Sequence, residues 1–110
     1  MEEEFIPYGS QWIDEEDIDL VVETLRSDYL TTGPKVDEFE EAFAQYVEAE
    51  YAVAVANGTA ALHAACFAAE ISEGDEVITN SLTFAASANC ILYQGGIPVF
   101  ADIDKKTYNL

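Results

Sequence analysis

The run Asn57-Gly58-Thr59-Ala60-Ala61-Leu62 follows a short apolar stretch, residues 51–55, and opens an alanine-rich segment with helical spacing. A strand that enters a helix through a glycine turn leaves the first N–H groups of the helix without partners, beside the positive end of its dipole. Such a turn can hold a phosphate, and glycine lets the ligand approach the backbone. The same residues also serve as an ordinary cap, with Gly relaxing the chain and Thr covering an amide. From the turn alone both uses stay open. Few other residues offer chemistry. Cys66, Cys90 and the single histidine, His63, have no metal-ligand spacing. Both cysteines fall within helical patterns and read as reduced, buried packing residues, with no metal site expected. The lysines are Lys35, after a Gly-Pro break, and Lys105-Lys106, in a polar turn.

The elements that must position these residues follow from periodicity. After an extended lead, Asp14 is the expected N-cap of a helix with Ile18, Val21, Val22 and Leu25 on one dry face. A loop over residues 28–34 ends in Gly33-Pro34, and a second amphipathic helix carries Val36, Phe39, Phe43, Tyr46 and Val47. From residue 51 the pattern becomes β-α-β-α-β: strands at 51–55, 76–79 and 97–101, helices from 59 to about 70 and from about 84 to 93. Gly74-Asp75 and Gly95-Gly96 mark the joins. Crossovers of this length imply a parallel sheet, with ligands beyond the carboxyl ends of its strands, where the turns at 57–59 and 80–84 both fall. The predicted class is α/β, with residues 1–50 as a lead and two helices and residues 51–110 as the β-α-β-α-β section. The alanine-rich helix is expected to be sandwiched by other structure.

The chain has 110 residues, half of them apolar, which fits one domain with a core. No apolar run reaches the ~20 residues of a membrane span, and the start Met1-Glu2-Glu3-Glu4 is acidic where a secretory signal is basic. A soluble, cytoplasmic protein is expected. With 22 Asp and Glu against Arg26, Lys35, Lys105 and Lys106, the net charge is −18, which disfavours nucleic acid and anionic membranes as partners. Acidic runs such as Asp14-Glu15-Glu16-Asp17 alternate with apolar positions and read as solvated helix faces. A salt-adapted source is one explanation of the excess. The glycine pattern contains neither G-x-G-x-x-G nor G-x-x-x-x-G-K-[ST].

Over essentially its whole length the chain resembles the DegT/DnrJ/EryC1/StrS sugar aminotransferases, which have the type I pyridoxal-phosphate fold. The residues that carry the resemblance are Leu30-Thr31-Thr32-Gly33-Pro34, Phe39-Glu40, Asn57 to His63, Gly74 to Thr79, Thr83-Phe84-Ala85-Ala86-Ser87-Ala88-Asn89 and Pro98 to Asp104. The opening Ile6-Pro7-Tyr8-Gly9 and residues 85–90 look most like the branch that aminates a UDP-linked 4-keto N-acetyl amino sugar in the pseudaminic acid pathway. The resemblance implies the N-terminal part of the large domain of an enzyme that passes an amino group from an amino acid such as glutamate to a nucleotide-linked 4-keto sugar, for cell-surface polysaccharide or glycan precursors. Pyridoxal 5′-phosphate is the implied cofactor and a homodimer the implied assembly. Gly58, Thr59 and Ala60 map onto the phosphate turn, and the Phe84 ring onto the aromatic face against the pyridine. Without the family, a phenylalanine there is more often core. Tyr8, Asp28, Tyr29, Leu30, Thr31 and Asn57 map onto the sugar-nucleotide side; Tyr8 and Tyr29 equally suit ordinary half-buried tyrosines.

The family's Schiff-base lysine and the acidic partner of the pyridine nitrogen lie beyond the point matching Leu110, so no catalytic residue is assigned here. Lys35 reads as a surface charge, placed by the resemblance near a nucleotide phosphate. The expectation is a truncated section that is inactive alone. The alternative is a non-catalytic fragment that at most binds a phosphate ligand or a partner chain through its sheet edge.

Overall fold

The computed structural model describes residues 5–110, so the acidic start at residues 1–4 lies outside the described residues. Its contacts divide the chain into two units, Met1–Ala54 and Val55–Leu110.

In the first unit, α1 (Glu15–Arg26) begins where the sequence places it. Asp14 Oδ1 accepts from the amides of Glu16 and Asp17 at 3.0 and 3.1 Å, while Asp17 Oδ2 accepts from the Asp14 amide at 3.1 Å. This reciprocal box satisfies amides that a helix start otherwise leaves open. Acidic residues in the first turn and Arg26 in the last complement the helix dipole. The apolar stripe on α1 is not covered, since no residue of α1 is buried among the described residues. Helix α2 (Pro34–Tyr46) starts with Gly33 as N-cap and Pro34 in its first turn, where the missing N–H costs nothing. Phe39 and Phe43 stack one turn apart with centroids 5.8 Å from each other, and Ala44 is its buried residue.

The expected strand at residues 51–55 does not form. It joins no ladder among the described residues, and the Ala54 amide bonds instead to Glu40 Oε1 at 2.7 Å. An apolar run becomes a strand only when it pairs with another, and among the described residues 51–55 pair with none.

In the second unit, α3 (Gly58–Ala68) leads to β1 (Glu76–Asn80), α4 (Ala86–Tyr93) and β2 (Ile97–Ala101). β1 and β2 pair in parallel from Glu76↔Ile97 to Asn80↔Ala101, with α4 as the crossover. The hub is α4, which packs on α3 and on both strands. Ala86, Cys90 and Ile91 form its core face, with Ile91 only 2% exposed. Gly96 fits this core because it lacks a side chain: a Cβ there would stand 2.9 Å from the Cγ2 atoms of both Ile71 and Ile91. Gly95, with φ of +80°, turns the chain from α4 into β2. Cys90 is buried as expected, whereas Cys66 is half-buried. The Cys66 thiol is pushed up from its ordinary pKa by burial, with the neighbouring Cys90 thiol adding to the effect.

Candidate functional site

The second unit brings the glycine turn and the loop after β1 to one cavity of about 650 Å³. Gly58 and Thr59 enter it from the start of α3, and Phe84, Ala86 and Ser87 from the start of α4. The floor between them is apolar, made by Ala61, Leu62 and Ala65 on α3. A cavity with an apolar wall and a few convergent polar groups is the usual form of a small-molecule site.

Asn57 sets the geometry of its polar end. Its Oδ1 accepts the Ala60 amide at 2.9 Å, and its carbonyl accepts the Ala61 amide at 3.1 Å. Among the described residues, the amides of Gly58 and Thr59 have no protein partner. They sit at the positive end of α3, so the turn caps itself with Asn57 and still presents two donors. Gly58 adds space: its backbone is outside the left-handed region, and a Cβ built on it would meet nothing within 4 Å. The fold therefore does not require glycine at 58, and a close-approaching ligand is what would use the room. Phe84 lines the same cavity and is 79% exposed. A large aromatic face left open beside two free amides suits a flat ligand that carries an anion.

Of the residues singled out from sequence, Gly58, Thr59 and Phe84 are thus together on one cavity, and Ala60 lies in the same turn with its amide on Asn57. Tyr8, Asp28, Tyr29, Leu30 and Thr31 belong to the first unit and are exposed. Tyr29 lines a separate cavity of about 210 Å³ with Ser27, Lys35 and Glu38. There Lys35 Nζ donates to Glu38 Oε2 at 2.9 Å. This bond, with the charges of Glu23 and Glu38, holds the ammonium above its ordinary pKa. Among the described residues no cluster of histidine, cysteine and carboxylates could hold a metal ion. No helix among them is long and apolar enough to cross a membrane.

Two features were not singled out from sequence. Ser87 lines the cavity, and its Oγ lies 2.9 Å from Thr83 Oγ1. Their spacing of four residues at a helix start was the available signal, but it looks the same as a helix cap. Asn80 Oδ1, at the carboxyl end of β1, is buried with no hydrogen-bond partner among the described residues.

Residues 11–110 match the sequence profile of the DegT/DnrJ/EryC1/StrS aminotransferase family. The chain is similar to the spore coat polysaccharide biosynthesis protein SpsC of Bacillus subtilis, 52% identical over 106 residues, which are 96% of this chain and 27% of that protein. It is 42% identical to the UDP-4-amino-4-deoxy-L-arabinose–oxoglutarate aminotransferase of Shewanella sediminis, over 94% of this chain and 27% of that one. Among solved structures, Spr1654 of Streptococcus pneumoniae in its PLP form superposes with a TM-score of 0.85 and 39% identity, over 94% of this chain and 26% of that one. The same protein is also solved in PMP and apo forms. The chain therefore spans about a quarter of the length of the relatives it matches.

Proposed function

The chain belongs to the DegT/DnrJ/EryC1/StrS aminotransferase family, and we propose that it carries the phosphate and ring-face part of a pyridoxal 5′-phosphate site in a sugar aminotransferase. The observation that carries this reading is the cavity lined both by Gly58 and Thr59, whose amides have no protein partner among the described residues, and by the exposed Phe84. These residues fit the group. The open space at Gly58 admits a phosphate oxygen against the backbone, and the Thr59 hydroxyl adds a donor. Ala60 joins them by sharing its amide between Asn57 and the phosphate, and Phe84 covers one face of the pyridine ring.

Once bound, the cofactor supplies an electron sink for moving an amino group. The part of these residues is to bind and orient: two amides and a hydroxyl fix the phosphate end, and the ring and the alanine floor exclude water from the other. The amino donor is an amino acid such as glutamate, and the acceptor a nucleotide-linked 4-keto sugar. The UDP-linked sugar of the Shewanella relative's name supports this, as does the polysaccharide role in the Bacillus relative's name. Within that class, we place the acceptor among UDP-linked N-acetyl 4-keto sugars, with Tyr8, Asp28, Tyr29, Leu30, Thr31 and Asn57 toward it. Four basic residues against 22 acidic ones supply little charge for a nucleotide diphosphate, so that role is assigned to residues outside this section or to a second subunit of a homodimer.

The test has two stages in the protein carrying this sequence. Pyridoxal 5′-phosphate should bind about tenfold tighter, or more, than pyridoxal, which lacks the phosphate. With glutamate and a UDP-linked 4-keto sugar, 2-oxoglutarate and amino sugar should then appear in equal amounts. Equal affinity for the two pyridoxals, or no amino transfer to any nucleotide-linked keto sugar, would overturn the reading.

A further inference from the structure

The loop between β1 and α4 has an arrangement that helix capping does not explain. Hydroxyl residues at a helix start ordinarily accept a backbone amide. Here α4 has no side-chain cap, and the hydroxyls of Thr83 and Ser87 are bonded to each other at 2.9 Å. Core packing does not explain the pair either, because Thr83 is exposed. Ser87 makes a second bond to the same loop: its amide donates to the Phe84 carbonyl at 3.0 Å. The residue before Phe84 and the backbone of Phe84 itself are thus both fastened to residue 87. The preferred rotamers of an aromatic side chain depend on its own φ and ψ, so restraining the backbone at 83 and 84 restrains the ring. That ring is the exposed wall of the cavity shared with Gly58 and Thr59.

We propose that the Thr83–Ser87 hydroxyl pair is a positioning device for Phe84, which sets the plane of its ring for a flat ligand in the cavity. The proposal rests on the reading of that cavity as a pyridoxal 5′-phosphate site. Ser87 acts through Phe84, by holding the loop on both sides of it. The bond at stake is a single neutral one, so its loss lowers affinity modestly, by about three- to tenfold.

The experiment is a titration of pyridoxal 5′-phosphate, followed by the visible circular dichroism of the bound cofactor, in the protein carrying this sequence. Thr83→Val and Ser87→Ala each remove one hydroxyl and leave the Ser87 amide bond; Ser87→Thr keeps the hydroxyl. The two deletions should weaken binding equally, by about three- to tenfold, and reduce the dichroism per bound cofactor. Their combination should be no worse than either alone, Ser87→Thr should behave as the wild type, and in a Phe84→Ala background neither deletion should have any further effect. A Ser87→Ala effect that persists undiminished in the Phe84→Ala background would overturn the proposal, because Ser87 would then touch the ligand or support the fold directly. A silent Thr83→Val would also overturn it. Failure of the wild type to bind would instead remove the cofactor-site reading and this inference with it.

Discussion

Position 58 separates what the fold needs from what a ligand needs. Gly58 opens α3 with room for a methyl group and a backbone that alanine can adopt. Gly58→Ala should therefore leave stability unchanged or raise it by about 0.4–1 kcal/mol, because the unfolded chain loses freedom. The same methyl group would stand where a phosphate oxygen approaches the amides, so affinity for pyridoxal 5′-phosphate should fall by about tenfold or more, while affinity for pyridoxal stays the same. Urea unfolding and the two titrations measure these outcomes in one variant. A stable Gly58→Ala protein with full affinity would place the phosphate elsewhere. Asn57 has a different part: its side chain is tied to the Ala60 amide, and replacing it with alanine removes a cap. The sequence carried the identity of this turn, since an Asn-Gly-Thr start is local chemistry. It did not carry how the donors are divided, which depends on which amide the Asn57 side chain takes.

The start of α1 and the end of α4 were legible, whereas the way α2 and α3 close was not. Asp14 was readable as an N-cap because the amides it takes lie within three residues, although the return bond from Asp17 was not singled out. The β1–α4–β2 unit was readable because glycines mark its joins. By contrast, α2 and α3 close through left-handed residues that are not glycine, Glu48 at φ +56° and Glu70 at φ +59°. The next amides fold back onto the helices, from Ala49 to the Ala44 carbonyl at 2.9 Å and from Ile71 to the Cys66 carbonyl at 3.2 Å. Glutamate gives no sequence signal for this conformation. Glu70→Gly should relieve the strain and stabilise the second unit by about 0.5–1 kcal/mol, seen as a higher urea midpoint at unchanged slope. A lower midpoint would mean that the left-handed turn at 70 carries no strain. The turns beside the strands give a pH signature. The Ser72 amide and hydroxyl hold the Asp75 carboxyl below its usual range. The Thr107 and Lys106 amides, with the Thr107 hydroxyl, do the same for Asp104. A carboxyl whose folded pKa is lowered adds stability above its unfolded value, about 3.9, and loses it as pH falls through the folded one. Asp104→Ala should therefore flatten the loss of stability below about pH 4, and carbon-13 titration should place both carboxyls below a free aspartate. Ordinary midpoints for both would remove this contribution.

At the scale of the whole chain, charge and uncovered apolar surface act in opposite directions on solubility. In the second unit, Ile78 and Phe100 remain 67% and 58% exposed on a sheet of two strands, each of which is an edge. Uncovered edges and apolar faces favour association, whereas a net charge of −18 opposes it. The same charge strains the folded chain, because compaction brings carboxylates closer than they are in the unfolded state. Screening should relieve that strain. Between about 0.01 and 1 M potassium chloride the Debye length falls from about 30 to 3 Å, so urea unfolding at pH 7 should shift to a higher midpoint as salt is added. The cause can be separated from a general salting-out effect by repeating the series near the isoelectric point of about 4.1, where the carboxylates are largely neutralised. There the salt dependence should shrink markedly. A midpoint that does not respond to salt at pH 7 would show that the carboxylates are already far enough apart, on solvated helix faces, to cost the fold nothing. It would also remove salt adaptation as the explanation of the acidic excess. A rise of the same size at both pH values would assign the effect to the apolar surface that folding removes from water.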